Sequence, residues 1–456
     1  MVDCRFIAAQ LTEPSMRHVV IVDGFRTPLC KEGTAFRETD ADVLGAWVVR
    51  EMVTRCGNWN LPLETIDCVL GSNVATPMHA VNPTRVAAVV GGLPPSIPAD
   101  TVAGKNCGSG VTALYYAGLR IRSGDVDTVL VIGMEAMSRI QTAYHHKVAG
   151  LLLEYGRAKG VRQRVAGAVA LLPKLLNLKK YPPRVGLVLG LTDPMCDLIM
   201  GATAENIAKA PAFGMTREDQ DAFAVRSHKN AAQAWTQGLF ADEVVPMYVP
   251  ERGVYVERDN GIREDAGLET FREVKPVFDR HYGSVTPANA SQITDAAAAL
   301  LLMEEEKAKA LGLPIMGYVR EYADFGYEPA CMGLAPVGAI SLLLRKTSLA
   351  LKDFSVFEIN EAFAAVVLGI LRTLDSAALM EQTFGRYGLS GRIGEIPPND
   401  LNPHGGAIAL GHPVGVSGLR LAVTSLLELK RRKAERALIG GCVGGGQGVA
   451  MVLERK

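Results

Sequence analysis

The sequence predicts an α/β protein built from two similar halves. In the first half, the turn-like stretch NCGSG at 106–110 precedes a run with helical spacing, GVTALYYAGLRIRSGD, and then the strand-like run DTVLVIGMEAMS. Near the C-terminus the order repeats, with GVSG at 415–418, a second amphipathic run and the strand-like ALIGGC. Gly110 and Gly133 lie 23 residues apart, as do Gly418 and Gly441. This agreement indicates an internal duplication of a turn–helix–strand unit.

Length and composition favour a folded protein of two or three domains. The chain has 456 residues, of which 48% are hydrophobic, and 48 Lys and Arg balance 48 Asp and Glu. A balanced charge argues against a globally nucleic-acid-binding protein, and so much apolar sequence argues against disorder. The eight cysteines are scattered without a CxxC pair or a zinc-like spacing, which favours a reducing compartment and predicts no metal site.

The N-terminal stretch resembles neither a secretory signal nor a transit peptide. Residues 1–28 lack a long apolar core after a basic start and are not rich in Arg and Ser. No uninterrupted apolar run reaches the roughly 18 residues that a membrane span requires. We therefore expect a cytoplasmic location, with peripheral attachment to the inner face of the membrane as an option raised by the basic segment described below.

The other elements follow from local pattern. HVVIVDGFRTP at 18–28 predicts a core strand, and the run 215–244 predicts two helices with a start signal at Thr216 and a stop at Gly238. The stretch 285–303, VTPANASQITDAAAALLLM, predicts a polar loop that leads into an Ala-rich buried helix. FEINEAFAAVV at 357–367 predicts a strand-to-helix junction that carries Asn360.

A basic segment interrupts the pattern between Arg139 and Arg184. It contains ten Lys or Arg residues and a single acidic one, Glu154, interleaved with short apolar clusters, and Pro173 and Lys174 break the longest of these. Such a segment can dock on an anionic membrane surface. A solvated basic lid or a surface that contacts a partner protein explains the same pattern almost equally well.

Four polar residues stand at the ends of buried strands: Cys107, Asn360, His412 and Cys442. Taken singly, each has a structural explanation, such as a buried cysteine at a tight turn, a helix cap or a packing turn. Together they fit carbon-bond chemistry on a thioester, which needs a thiolate, a base and donors that hold an oxyanion. We expect the N-terminus of the helix after Cys107 to lower the pKa of its thiol. The glycine cluster GGCVGGGQG is followed by a strand and not by a helix, which argues against a dinucleotide site.

These segments resemble the thiolase family over nearly the whole chain, from about Arg17 to Glu454. The matching segments are NCGSG, NEAFAA, HGGAIALGHPVGVSG and CVGGGQGVAMVLE. The resemblance implies a five-layered α-β-α-β-α fold made of two duplicated halves and a loop domain. The implied boundaries are 1–137 with 292–314 for the N-terminal half, 138–291 for the loop domain and 315–456 for the C-terminal half.

The resemblance also implies the role of each site residue. Cys107 would be the acyl-accepting nucleophile, His412 would activate it, and Cys442 would be the acid/base cysteine. Asn360 would hold a water that, together with His412, stabilises the thioester oxyanion. The backbone amides of Cys107 and Gly444 would form the second oxyanion hole.

The pocket and partners are implied in the same way. Ser291 and His404 fall where the family lines its acyl-CoA pocket. CoA would be a substrate, with no cofactor or metal, and the protein would be a homodimer or a higher oligomer. The middle of the chain is most similar to the β chain of the fatty-acid-oxidation trifunctional enzyme, so a hydratase/dehydrogenase α subunit is a candidate partner. That subgroup typically has His where Asn360 stands, and the family usually has Gly at position 296, where this chain has Ala.

The resulting hypothesis is a 3-ketoacyl-CoA thiolase that works in fatty acid β-oxidation. The alternative is a biosynthetic acetoacetyl-CoA thiolase. A ketosynthase would be expected to replace the second cysteine with histidine, which Cys442 argues against. A non-catalytic lipid-binding member would be expected to lose Cys107, His412 or Cys442, and all three are present.

Overall fold

The computed structural model describes residues 17–102 and 104–456. Cys4 and the first sixteen residues, which bear on the prediction about targeting signals, lie outside this range.

Strands come from both ends of the chain and from its middle. They are β1 Val19–Arg26, β2 Cys30–Lys31, β3 Cys68–Ser72, β4 Ala99–Val102, β5 Thr128–Ala136, β6 Thr142–Ala143, β7 Arg184–Val185, β8 Thr192–Asp193, β9 Leu198–Ile199, β10 Met247–Val249, β11 Val254–Val256, β12 Thr294–Glu304, β13 Gly317–Gly326, β14 Val356–Ile359, β15 Arg436–Val443 and β16 Gln447–Glu454.

Helices separate most of these strands. They are α1 Ala41–Asn58, α2 Pro83–Val90, α3 Ser109–Arg122, α4 His146–Arg157, α5 Val161–Leu176, α6 Gly186–Gly190, α7 Met200–Lys209, α8 Arg217–Thr236, α9 Leu268–Arg272, α10 Glu305–Ala310, α11 Ala335–Thr347, α12 Ala364–Asp375, α13 Ala377–Phe384, α14 Ala407–Leu410 and α15 Ser417–Arg432.

The strand pairing repeats between the two halves. In the first half β1 pairs antiparallel with β12, β12 pairs antiparallel with β5, and β5 pairs parallel with β3. In the second half β13, β16, β15 and β14 follow the same order with the same directions. The two sets meet where β1 pairs with β13 over two residue pairs. The internal duplication that the sequence indicates is therefore present in the topology.

Three apolar cores separate the layers. One core packs α1 and α2 against one face of the first set of strands. A central core joins α3 and α15 to strands of both halves. The third packs α11 and α12 against the second set. The sequence of layers is thus helices, strands, central helices, strands and helices, as the predicted fold requires.

The Ala-rich run is a strand and not the predicted buried helix. Residues 294–304 form β12, which lies between β1 and β5. Ala296, Ala298 and Leu300 face the central core, whereas Ala297 and Ala299 face the outer one. Because both faces are covered, the strand has no polar alternation, and its surroundings override the helical propensity of alanine.

The stretch after Thr216 is one helix where two were predicted. Thr216 caps α8, and its side chain accepts a hydrogen bond from the backbone N–H of Asp219. The helix ends at Thr236, and Gly238 follows in the left-handed region with φ 69°. The start and stop signals were correct, but nothing between them interrupts the helix.

The basic segment folds as a helical hairpin on the surface. Helices α4 and α5 pack on each other, and α5 exposes a stripe of apolar side chains along one face. Within residues 17–102 and 104–456, no helix is both long enough and apolar enough to span a bilayer.

Candidate active site

Cys107 lies in a 3-10 turn at Asn106–Gly108 that leads directly into α3. The backbone N–H groups of Gly444 and of Cys107 itself act on its sulfur and lower the pKa of the thiol. The backbone of Asn106 has a positive φ of 44°. Its side-chain amide donates to the carbonyl of Gly444 at 3.0 Å. A Cβ on Gly108 would lie 2.8 Å from a methyl of Val443, so this turn can seat closely on β15 only with glycine there.

The resting state of Cys107 is a thiol. Burial raises its pKa to about 11, and the two backbone N–H groups only partly oppose that rise. The N–H group of Cys107 at the start of the helix lowers this pKa, as expected, but the loss of solvent outweighs it, so the net shift is upward. Cys107 therefore needs a base that takes its proton when a substrate binds.

Cys442 lies beside Cys107 at the end of β15 and is 1% exposed. Burial and the neighbouring Cys107 both raise the pKa of its thiol well above the ordinary value. The glycines that follow form the tight connection from β15 to β16, with φ 91° at Gly445 and 73° at Gly446. The glycine cluster is thus a hairpin turn next to two thiols.

Asn360 and His412 form a second buried pair. The Asn360 amide nitrogen lies 3.4 Å from His412 Nε2, and the Oδ1 atom of Asn360 has no hydrogen-bond partner among the described residues. Ser417 Oγ lies 2.5 Å from His412 Nδ1 and also donates to the carbonyl of Pro413. With the hydroxyl proton on Pro413, the imidazole carries its proton on Nδ1, and Nε2 is the acceptor that faces the Asn360 amide.

His412 is neutral at physiological pH. Burial, with a smaller contribution from Arg420, lowers its pKa to about 4. A neutral imidazole with an unprotonated Nε2 can accept a proton. Its backbone N–H donates to the carbonyl of Gln292 at 2.9 Å, which ties the His412 turn to the segment that carries Ser291.

The two pairs meet at the end of β15. A Cβ on Gly441 would lie 2.9 Å from the Cβ of Asn360, so Asn360 packs directly against the residue before Cys442. At the helix N-termini, a Cβ on Gly110 would lie 3.2 Å from the Cα of Gly418. The turns that carry Cys107 and His412 are therefore adjacent across the central layer. A direct contact between the Cys107 sulfur and the His412 ring stays a prediction.

Ser291 and His404 are held by hydrogen bonds to different parts of the molecule. The backbone N–H of Ser291 donates to the carbonyl of Ala362, in the NEAFA segment, at 2.9 Å. His404 is buried, and its Nε2 lies 2.7 Å from a carboxylate oxygen of Glu428 and 3.0 Å from Arg431. The His404 side chain is thus engaged with α15 and makes no contact with the other predicted residues in the part of the chain that is described.

Comparisons with known proteins identify the family. The N-terminal domain model of thiolase matches residues 19–306, and the C-terminal domain model of thiolase matches residues 313–455. The chain belongs to the thiolase family. It is 37% identical to the 3-ketoacyl-CoA thiolase of Pseudoalteromonas translucida over 97% of its own length and 98% of that relative's.

Solved structures agree with this thiolase's fold. The acetyl-CoA acetyltransferase of Bacillus anthracis superposes with a TM-score of 0.81 at 33% identity, covering 96% of this thiolase and 99% of that chain. Human mitochondrial 3-ketoacyl-CoA thiolase in complex with CoA gives a TM-score of 0.81 at 29% identity, with 97% and 98% covered. The predicted family and fold are confirmed, and this thiolase is an acyltransferase.

Two buried carboxylates, Glu361 and Glu135, lie near the site of this thiolase, and the sequence predicts a role for neither. Glu361 accepts hydrogen bonds from Ser227 Oγ at 2.6 Å and from the Asn402 amide at 2.8 Å, which fixes the NEAFA segment. Glu135 lies at the end of β5 and is fully buried. A carboxylate inside an otherwise apolar strand was the available signal for Glu135, because an acidic residue is rarely buried without a purpose.

Proposed function

We propose that this thiolase cleaves 3-ketoacyl-CoA with CoA, giving acetyl-CoA and a shortened acyl-CoA, in fatty acid β-oxidation. The observation that carries the proposal is the Cys107 sulfur, which is close to the backbone N–H groups of Cys107 and Gly444 and to a second thiol, Cys442. These two N–H groups would form an oxyanion hole of the kind that acyl transfer needs.

Acylation begins with proton transfer from the Cys107 thiol to Nε2 of His412. The sulfur attacks the 3-keto carbon, and the tetrahedral oxyanion is held by the N–H groups of Cys107 and Gly444. The bond between C2 and C3 then breaks, leaving an acyl group on Cys107. The C2 carbanion, stabilised as an enolate, takes the proton of Cys442 and departs as acetyl-CoA.

Deacylation reverses the proton transfers. The Cys442 thiolate takes the proton of an incoming CoA thiol, and the CoA sulfur attacks the acyl-Cys107 carbonyl. The bond to Cys107 breaks, and the departing thiolate recovers its proton from His412. Both cysteines and the imidazole return to their resting forms, so the cycle is ping-pong and needs no further reactant.

A water held by Asn360 would stabilise the enolate oxygen of the thioester. The unpartnered, buried Oδ1 of Asn360 can accept a water proton, and His412 stands 3.4 Å from the same amide. A buried amide oxygen without a partner is costly, which supports a bound water or substrate atom at this place. We assign the CoA-lining role to the Ser291 segment and assign none to His404.

A cleavage assay across acyl chain lengths tests the proposal. The purified chain, given CoA and 3-ketoacyl-CoA substrates from acetoacetyl-CoA to long chains, should release acetyl-CoA with kcat/KM that stays high beyond the shortest substrate. Activity confined to acetoacetyl-CoA would support the biosynthetic alternative. Absence of turnover with every substrate would favour the non-catalytic alternative.

We further propose that the α4–α5 hairpin docks the enzyme on an anionic membrane surface. On α5, five apolar side chains lie on one stripe and are 57–78% exposed, namely Val161, Val165, Val169, Leu172 and Leu176. Exposed cations flank the stripe at Arg162, Arg164, Lys179 and Lys180. Apolar side chains that insert among cations that attract headgroups are the pattern of an interfacial helix.

Vesicle co-sedimentation tests this docking. A variant with Arg162, Arg164, Lys179 and Lys180 changed to Glu should lose binding to vesicles that contain phosphatidylglycerol. A control with the exposed Lys229, Lys275, Arg280 and Lys352 changed to Glu has the same net charge and should keep it. Salt should weaken the wild-type binding, because exposed charges are screened beyond about 10 Å at roughly 0.1 M. Equal binding of both variants, or none by the wild type at low salt, would contradict the proposal and favour an α subunit as the occupant of this surface.

We also propose that the enzyme is a homodimer or a higher oligomer. Strand β4 is the edge of the first set of strands, paired with β3 alone among the described residues. An unpaired edge is a template for another strand, and the nearby Met78 and Val81 are 67% and 83% exposed. Light scattering should give at least a dimer, and a monomer at working concentration would contradict this.

A further inference from the structure

The turn that carries His412 is held by the opposite half of the molecule. At Gly415, the backbone N–H donates to Oε2 of Glu135 at 2.8 Å, and the carbonyl accepts a hydrogen bond from Ser72 Oγ. Ser72 ends β3 and Glu135 lies near the end of β5, whereas Gly415 lies three residues after His412. The N–H and the carbonyl of Gly415, which belongs to the second half, are thus both hydrogen-bonded to side chains of the first half.

Glu135 has no spare acceptor. Its Oε1 accepts from the Asn73 amide at 3.0 Å and from the N–H of Ala75 at 2.9 Å, while Oε2 accepts from the N–H of Val74 at 3.1 Å and from that of Gly415. Burial raises the pKa of Glu135 to about 7, and the N–H donors of Ala75, Gly415 and Val74 oppose the rise. Each carboxylate oxygen is therefore fixed by two donors that point at it.

The contact leaves no room for a side chain on the turn. A Cβ on Gly415 would lie 2.9 Å from the carbonyl oxygen of Ser72 and 3.0 Å from Glu135 Oε2. A Cβ on Gly133 would lie 3.0 Å from the carbonyl oxygen of Gly415. The turn is therefore seated closely against the ends of two strands.

We propose that Ser72 and Glu135 form a clamp on Gly415 that sets the position of the His412 imidazole relative to Cys107. Both are positioning residues, and this role rests on the function proposed above. The nucleophile belongs to the first half and its base to the second, so their relative placement depends on contacts between the halves. The clamp is such a contact, and it acts on the same short turn as the base.

Glutamine at position 135 tests the clamp because it keeps the shape of the side chain. Whichever way its amide is turned, the NH₂ group faces two N–H donors: those of Val74 and Gly415, or those of Asn73 and Ala75. Glu135→Gln therefore loosens the clamp through hydrogen bonding alone.

Ser72→Ala removes the opposite bond with little change in volume and is the second variant if the first folds poorly. Glu305→Gln is the matched control, since Glu305 is also buried but accepts from Tyr318 and Lys309, away from the site.

The readouts are steady-state kinetics and hydrogen–deuterium exchange of the peptide that contains residues 411–417. For Glu135→Gln we expect kcat to fall about 10- to 100-fold, because small displacements of a catalytic group have effects of that size. KM for the acyl-CoA should change less than kcat, since the clamp acts on the proposed CoA segment only indirectly, through the hydrogen bond from His412 to Gln292. Exchange in 411–417 should accelerate in Glu135→Gln and, less strongly, in Ser72→Ala, and not in Glu305→Gln.

The two readouts separate the clamp from the proposed function. If exchange in 411–417 is unchanged in both clamp variants, or if kcat of Glu135→Gln equals that of the control, the clamp is refuted even when the wild type is a fully active thiolase. If the wild type shows no cleavage with any substrate, the proposed function fails, whereas accelerated exchange would still show that the turn is clamped. The double variant Ser72→Ala/Glu135→Gln should lose less kcat than the product of the two single losses, because both hydrogen bonds hold the same residue.

Discussion

In each half of this thiolase, a group near the end of a strand contacts the turn that precedes the central helix of the other half. The two contacting groups differ, because one is an N–H donor and the other is a carboxylate acceptor. Cys107 stands three residues before Gly110, and Gly415 stands three residues before Gly418, so they occupy matching places ahead of α3 and α15. The N–H of Gly444, just after β15, reaches Cys107, and we name this contact the catalytic crossing. The carboxylate of Glu135, near the end of β5, reaches Gly415, and we name this contact the clamp crossing.

The two crossings differ in the residue that the turn carries, which is cysteine in one and glycine in the other. In the catalytic crossing, Cys107 is half-buried and close to backbone N–H groups, which under the proposed function would also hold the oxyanion of the attacked carbonyl. In the clamp crossing, glycine is required because any Cβ would strike Ser72 or Glu135. A duplicated fold thus supplies two equivalent junctions, and we infer that one performs the chemistry while the other fixes its geometry.

Removing the thiol of the catalytic crossing should have the largest effect. Cys107→Ala leaves no atom that can accept the acyl group, so we expect turnover to fall by at least about a thousandfold. Mass spectrometry of the wild type quenched during turnover should show an acyl adduct on Cys107, and Cys107→Ala should show none. Near-normal turnover of Cys107→Ala would mean that the nucleophile is another residue.

A change at Cys442 should separate the two chemical steps. In Cys442→Ser the hydroxyl is a poorer acid for the enolate and a poorer base for CoA, so we expect turnover to fall about a hundredfold or more. Acylation of Cys107 should persist slowly, so the adduct should accumulate when 3-ketoacyl-CoA is added without CoA. If Cys442→Ser formed no adduct at all, Cys442 would be needed for nucleophile activation and not only for proton transfer at carbon.

The sequence predicts the catalytic crossing better than the clamp crossing. Cys107, Asn360, His412 and Cys442 stand out because each is a reactive or polar residue in a Gly-rich or apolar stretch that matches the family. The pKa of Cys107 could not be predicted, because burial at the junction depends on residues of both halves. His404 belongs to one of the same matching segments, yet its ring turns to Glu428, a partner that only the packing of α15 provides.

Long-range pairing accounts for the other differences from the predictions. The sequence predicts a helix for the Ala-rich strand β12 because local propensity is the only guide when the pairing is unknown. Its neighbours β1 and β5 lie more than a hundred residues earlier in the chain. Glu135 reads as an isolated acid for the same reason, since its donors come from 73–75 and from Gly415. Periodicity identifies elements, whereas contacts between the halves decide what each polar residue does.

The smallest expected effect is a loss of folding stability at acidic pH that His412, in the turn held by the clamp crossing, causes. His412 has a pKa of about 4 in the folded protein, lowered from 6.5 chiefly by burial. The unfolded chain therefore binds a proton at a higher pH than the folded one, so stability falls as pH drops from about 6.5 to 4. At about 1.4 kcal/mol per pKa unit, the contribution of this one residue is at most about 3 kcal/mol. Urea unfolding at pH 7 and at pH 5 should therefore show a smaller acid-induced loss in His412→Asn than in the wild type, whereas the exposed His281→Asn control should match the wild type. An equal loss in all three proteins would mean that the folded structure does not lower the pKa of His412.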